Sequence, residues 1–172
     1  MDFTYKVNMR HQWRPGVGGF VDLNCGWYCQ DALLGWYCKK HNMSDIKAKR
    51  NRLSFGFSPE DSYCYEIKIP CDIQIPCDIQ RYKQALLKHG PIIVSGKLGM
   101  ADFGLLGGVN HYVLIVSVDT KRGKITIQDP LNINFGIPGY SGCRIYDFYS
   151  VAPKIEETLV VNEYKLAYFR CK

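Results

Sequence analysis

The chain changes character at Gly90-Pro91, and that change limits what it can fold into. Glycine accepts the left-handed turn that follows a last helical residue, and proline cannot carry a helix on. Upstream, Ile79, Tyr82, Ala85 and Leu86 recur at helical spacing behind Asp78, a capping residue type. Downstream, Ile92-Ile93-Val94-Ser95-Gly96 reads as a short buried strand, and His111-Tyr112-Val113-Leu114-Ile115-Val116-Ser117-Val118 as a long one. Asp119-Thr120-Lys121-Arg122-Gly123 makes a hairpin turn into a returning strand, Lys124-Ile125-Thr126-Ile127-Gln128, which Asp129-Pro130 ends. Further strands are expected at 144–149 and 164–169. A helical part of about 1–90 and an antiparallel sheet part of about 91–172 make one α+β domain, with a cleft expected between the layers.

The helical part is arranged around Asn24-Cys25-Gly26-Trp27-Tyr28-Cys29, which feeds a cysteine into the first turn of a helix running to about His41. Asn24 suits the N-cap, and Trp27, Tyr28, Leu33, Leu34 and Tyr37 supply a broad apolar face. A thiol at a helix N-terminus lies at the positive end of the macrodipole, which favours the thiolate. A free cysteine, with a pKa of about 8.5, is only a few per cent nucleophilic at neutral pH, so a neighbouring base must supply the rest. Gly26 leaves the backbone of this turn open to a substrate. Taken alone, the stretch reads more readily as a core cysteine on a buried helix.

The remaining segments carry less information. Residues 1–20 read as irregular, with a glycine- and proline-rich loop at 13–19. Ser44-Asp45 opens a short basic helix to about Arg52, and 53–65 reads as loop. Ile69-Pro70-Cys71-Asp72-Ile73-Gln74 is repeated at once as Ile75-Pro76-Cys77-Asp78-Ile79-Gln80, which fits a duplication in an exposed connection. Net charge is +6, and the one dense cluster, Lys47-Ala48-Lys49-Arg50-Asn51-Arg52, reads as a solvated helix face, so no nucleic-acid partner is expected. The first residues lack the apolar core of a signal peptide, and no run reaches the ~20 residues of a membrane span. The eight cysteines are therefore read as reduced, in the cytosol of a producing or a target cell. Cys25-x3-Cys29 and Cys71-x5-Cys77 lack zinc spacing, so neither a metal nor a cofactor is expected.

His111 opens one strand of the hairpin and Asp129 closes the other, and in an antiparallel pair such ends are neighbours. Asp129 can hold one imidazole nitrogen while the other takes a proton from Cys25: nucleophile, base and orienter. A strand-end histidine is often only a satisfied polar residue, and Asp-Pro only a turn. It is the conjunction of all three features at element termini that points to nucleophilic catalysis.

Cys25-Gly26-x-x-Cys29, Gly90-Pro91-Ile92-Ile93-Val94, Asn110-His111-Tyr112-Val113-Leu114-Ile115-Val116 and Ile127-Gln128-Asp129-Pro130, in that order, resemble the papain-like cysteine protease superfamily. The likeness is to its compact bacterial branches: bacteriocin-processing peptidases that cleave after a double glycine, and secreted effector proteases. The resemblance implies a helical lobe carrying Cys25 on a sheet lobe carrying His111 and Asp129, and amide hydrolysis through a thioester. It implies a protein substrate, a Gly-Gly cleavage site and no cofactor. The family places an oxyanion-hole glutamine a few residues before the nucleophile, where this chain has Gly18-Gly19-Phe20. Gln12 is the nearest upstream glutamine and is either that donor or a surface residue. The Cys25 N–H would be the second donor, and one donor is worth on the order of 10²–10³ in rate. Trp27 and the loop ending in Gly107-Gly108 are candidates for lining the substrate cleft. His11, His41 and His89 match no motif position, Cys29 reads as core, and Asp22 is a weaker triad candidate than Asp129. With no long segment before Cys25 to mask it, the resemblance suits a toxin or effector domain delivered without a signal peptide and restrained by an inhibitor or immunity protein. Glutamine deamidation, acyl transfer and peptidoglycan amide cleavage remain open on the same triad, as does an inactive binding module.

Overall fold

A computed structural model describes residues 2–10, 25–44, 46, 63–69, 77–98, 110–133 and 140–170. Its described part is a mixed α+β fold: a 7-stranded sheet packed by helices on both faces. The strands are β1 (Phe3–Thr4), β2 (Cys64–Glu66), β3 (Ile92–Gly96), β4 (His111–Asp119), β5 (Lys124–Ile133), β6 (Ser141–Asp147) and β7 (Ile155–Val161). The helices are α1 (Cys25–Lys40), α2 (Ile79–His89), α3 (Phe148–Val151) and α4 (Glu163–Arg170). Every pairing is antiparallel, in the order β2-β7-β3-β4-β5-β6, and β1 pairs with β4 beyond the reach of β3.

The sheet separates two cores. Cys29, Leu33, Leu34 and Tyr37 of α1 pack on Ile93, Leu114, Val116 and Leu159. Ile79, Tyr82 and Leu86 of α2 pack with Ile92, Val94, Val113, Ile115 and Val160 on the other face. Alternation along β3 and β4 therefore buries both sides, which is why these strands read as continuous apolar runs. The α2 helix begins and ends as its residues dictate. Asp78 Oδ1 accepts from the Gln80 N–H at 2.9 Å, and Gly90, at φ +86°, donates its N–H to the Leu86 carbonyl at 2.8 Å.

Several expectations are corrected. The segment expected as a strand at 164–169 is helical, because Asn162 caps it: Asn162 Oδ1 accepts from the Lys165 N–H at 3.0 Å. The strand expected at 144–149 is β6, which stops at Asp147, whose carboxylate accepts from the Ser150 N–H and turns Phe148 and Tyr149 into α3. The central strand β7 was not anticipated. Cys64 and Tyr65 are not loop but, with Glu66, an edge strand on β7, and Phe3 and Thr4 are paired rather than irregular. β5 does not stop at Gln128 but continues to Ile133. The cysteines are not uniformly reduced: Cys77 is disulfide-bonded, while Cys25, Cys29, Cys38, Cys64 and Cys143 are free thiols. The expected Asn24 cap, the 13–19 loop and nearly all of the 45–52 helix lie outside the described residues, as do most of the repeat and of the 98–110 loop. Among the described residues no helix is long and apolar enough to cross a membrane.

Candidate active site

Cys25 is the first residue of α1 and is buried. The helix fixes it firmly, since Tyr28, Cys29, Ala32 and Leu33 anchor the following turns in the core. His111 is the first residue of β4 and is 5% exposed. Its Nε2–H donates to Asp129 Oδ1 at 2.7 Å. Cys25 lies close enough to the ring to act on its protonation. With Nε2 engaged by Asp129, Nδ1 is the nitrogen left to face the sulfur.

Strand ends alone do not bring His111 to Asp129. Near the turn the register runs Asp119↔Lys124, Val118↔Ile125 and Ser117↔Thr126; past Val116 it runs Ile115↔Ile127 and Leu114↔Gln128. One extra β4 residue is accommodated there. Without that bulge Asp129 would stand opposite Leu114, one residue further from His111. Gln128 then shares a side with Leu114, and its Nε2 donates to the Val7 carbonyl at 3.0 Å and to Ser141 Oγ at 3.2 Å. Asp129 follows it and lies within hydrogen-bond distance of His111.

A second irregularity holds the carboxylate. The β5–β6 register breaks between Gln128 and Ile133, so Asp129 and Pro130 leave the ladder. Proline has no N–H to lose there. Asp129 Oδ1 accepts from the Leu131 N–H at 2.8 Å as well as from His111. The side chain is thus tied to its own backbone before it meets the ring.

Burial alone would favour neutral His111, but it is outweighed by the hydrogen bonds to Asp129 and Cys25 and by their charges, which raise the ring to about 9. The imidazolium is the favoured state at neutral pH. Cys29, one turn along α1, behaves oppositely: full burial, reinforced by Cys25 and Asp129, pushes its thiol well up and keeps it protonated.

Among the sequence-derived candidates, Cys25, His111 and Asp129 are brought together. Trp27 is half-buried, edge-on to Tyr28 at 4.9 Å between ring centroids, and packs against the α1 core. Gln12, Gly107 and Gly108 lie outside the described residues, as do His11 and Asp22. His41 and His89 line a separate cavity of ≈ 420 Å³, with Tyr37, Tyr65 and Glu163, at the end of α1 remote from Cys25. Among the described residues no group of three or more His, Cys, Asp or Glu could hold a metal ion. Two neighbours of the site escaped the sequence reading: Tyr112, on which Cys25 acts electrostatically, and Glu157, to which Tyr112 OH donates at 3.1 Å. The β-branched and aliphatic run Thr158-Leu159-Val160-Val161 was the available signal for the strand carrying Glu157. No protein-family model matches the chain, and no curated protein is significantly similar to it.

Proposed function

We propose that this chain is a cysteine endopeptidase of papain-like architecture, with Cys25 as nucleophile, His111 as acid and base, and Asp129 as orienter. The observation that carries the reading is the buried chain of contacts from the Cys25 thiol through the His111 ring to Asp129 Oδ1. Such an arrangement needs no metal or cofactor: the ring supplies every proton movement.

In the proposed reaction the Cys25 proton already sits on His111 Nδ1, in the imidazolium state favoured at neutral pH. The sulfur attacks the scissile carbonyl, and the C–N bond breaks as His111 returns that proton to the leaving amine. A water then gives a proton to His111 and adds to the thioester. The C–S bond breaks, the acid departs, and the proton stays on His111 beside the freed sulfur. Asp129 holds the ring in one orientation throughout and stabilises its charged form. The N–H of Cys25, at the helix start, is one donor for the oxyanion, and Gln12 is proposed as the other. Restraint by an inhibitor protein belongs to the same proposal.

The test is exposure of a proteome to wild type and to Cys25→Ala, followed by mass spectrometry of termini. New termini made only by wild type support proteolysis and report the cleavage motif. Ammonia release from glutamine without new termini replaces proteolysis with deamidation. Identical products from the two proteins overturn the enzyme reading.

A further inference from the structure

The proposed reaction leaves one anionic group near Cys25 without a role. Tyr112 on β4 stands opposite Ser95 on β3, and Ser95 stands opposite Glu157 on β7. Directly opposed residues share a face, so the three side chains form one row across the sheet. The next pair in the ladder is Gly96↔His111. The row lies on the face that α1 covers, since Ile93, Leu114 and Leu159, two positions further along each strand, all pack in the α1 core.

Ser95 Oγ and Tyr112 OH both donate to the same carboxylate oxygen, Glu157 Oε2, each at 3.1 Å. Burial first, and then the Glu157 charge, raises the Tyr112 phenol, which therefore stays protonated and remains a donor. The carboxylate is half-buried and held in place on one oxygen. Among the described residues, no cation pairs with it. A chain of net charge +6 has cations in plenty, yet among the described residues none compensates this carboxylate. A partly desolvated carboxylate in that condition is costly unless a cation arrives from outside.

We propose that Glu157 is a specificity residue that accepts a lysine or arginine side chain of the substrate within a few residues of the scissile bond. The inference rests on the cysteine peptidase reading. The ammonium or guanidinium donates to Oε1, while Ser95 and Tyr112 keep Oε2 fixed. A carboxylate already held by two donors loses little freedom on binding, so the gain in selectivity is large for one contact.

Termini made by wild type but not by Cys25→Ala should share a lysine or arginine at one fixed position near the cut. A peptide built on such a site should be cleaved with a kcat/KM roughly tenfold to a hundredfold above its norleucine analogue, the span of a charge-assisted hydrogen bond. Glu157→Gln, which keeps an oxygen for Ser95 and Tyr112, should bring that ratio near one. Glu157→Lys should invert it against a glutamate analogue. Cys25-dependent termini with no shared basic position, or an undiminished ratio in Glu157→Gln, overturn the specificity assignment and leave the peptidase standing. Absence of Cys25-dependent termini removes both.

Discussion

Replacing Asp129 by asparagine isolates the charge in the proposed site. Oδ1 is retained, so the acceptor for the His111 Nε2–H at 2.7 Å and for the Leu131 N–H at 2.8 Å survives. Only the negative charge goes. His111 stands at about 9 against an ordinary 6.5, and at 1.36 kcal/mol per pH unit that gap is worth about 3 kcal/mol. Burial pulls the ring down, and the hydrogen bond to Asp129 leads the influences that raise it, ahead of that to Cys25. Asp129→Asn leaves a weaker, uncharged acceptor and removes the Asp129 charge, so it should lower the His111 midpoint by roughly 1 unit. The sign for stability follows. A raised folded-state pKa contributes stability that is fully present below pH 6.5 and lost as pH climbs through about 9, and in Asp129→Asn that loss should shrink. NMR titration of the imidazole resonances, with His111 assigned by its own substitution among the four histidines, measures the midpoint. Urea unfolding at pH 6 and pH 10 measures the linkage. A wild-type midpoint near 6.5, or one unmoved in Asp129→Asn, would refute the electrostatic account of the site.

Three further perturbations test other parts of the structure. Iodoacetamide at neutral pH should label Cys25 ahead of Cys29, whose buried thiol stays protonated, and His111→Ala should slow Cys25 labelling by roughly tenfold or more, read by peptide mass spectrometry. Gly96 sits at φ +157°, where a Cβ would fall 2.0 Å from the Lys154 carbonyl oxygen, so Gly96→Ala should cost about 2–4 kcal/mol in urea unfolding and loosen the β3–β7 junction. Gln128→Ala removes the donor to Val7 and Ser141 in a buried setting; a loss of about 2 kcal/mol is expected, with hydrogen exchange at residues 2–10 accelerating before that of β4.

Much of the fold is written in local pattern. The α2 helix is bounded by Asp78 and Gly90, and both act as their residue types demand. The β4–β5 hairpin closes through Asp119, whose Oδ1 accepts from the Arg122 N–H, and through Gly123 at φ +65°. The C-terminal third is less legible. Tyr164, Leu166, Tyr168 and Phe169 look strand-like by composition, yet a single capping interaction from Asn162 selects a helix. Glu157 offered no motif, because its place beside Ser95 and Tyr112 depends on β7 inserting between β2 and β3.

From sequence alone one can place Cys25 at a helix start, His111 at a strand start and Asp129 after the returning strand, since capping and alternation act over a few neighbouring residues. How far along β4 Asp129 falls was decided by one additional residue in β4, between Ile115 and Ser117, which brings it one residue closer to His111. An apolar run buried on both faces reads the same in either register, so nothing in its composition announces that shift. The packing of α1 on one side and α2 on the other fixes which register buries both cores, and so sets how near the carboxylate comes to the histidine.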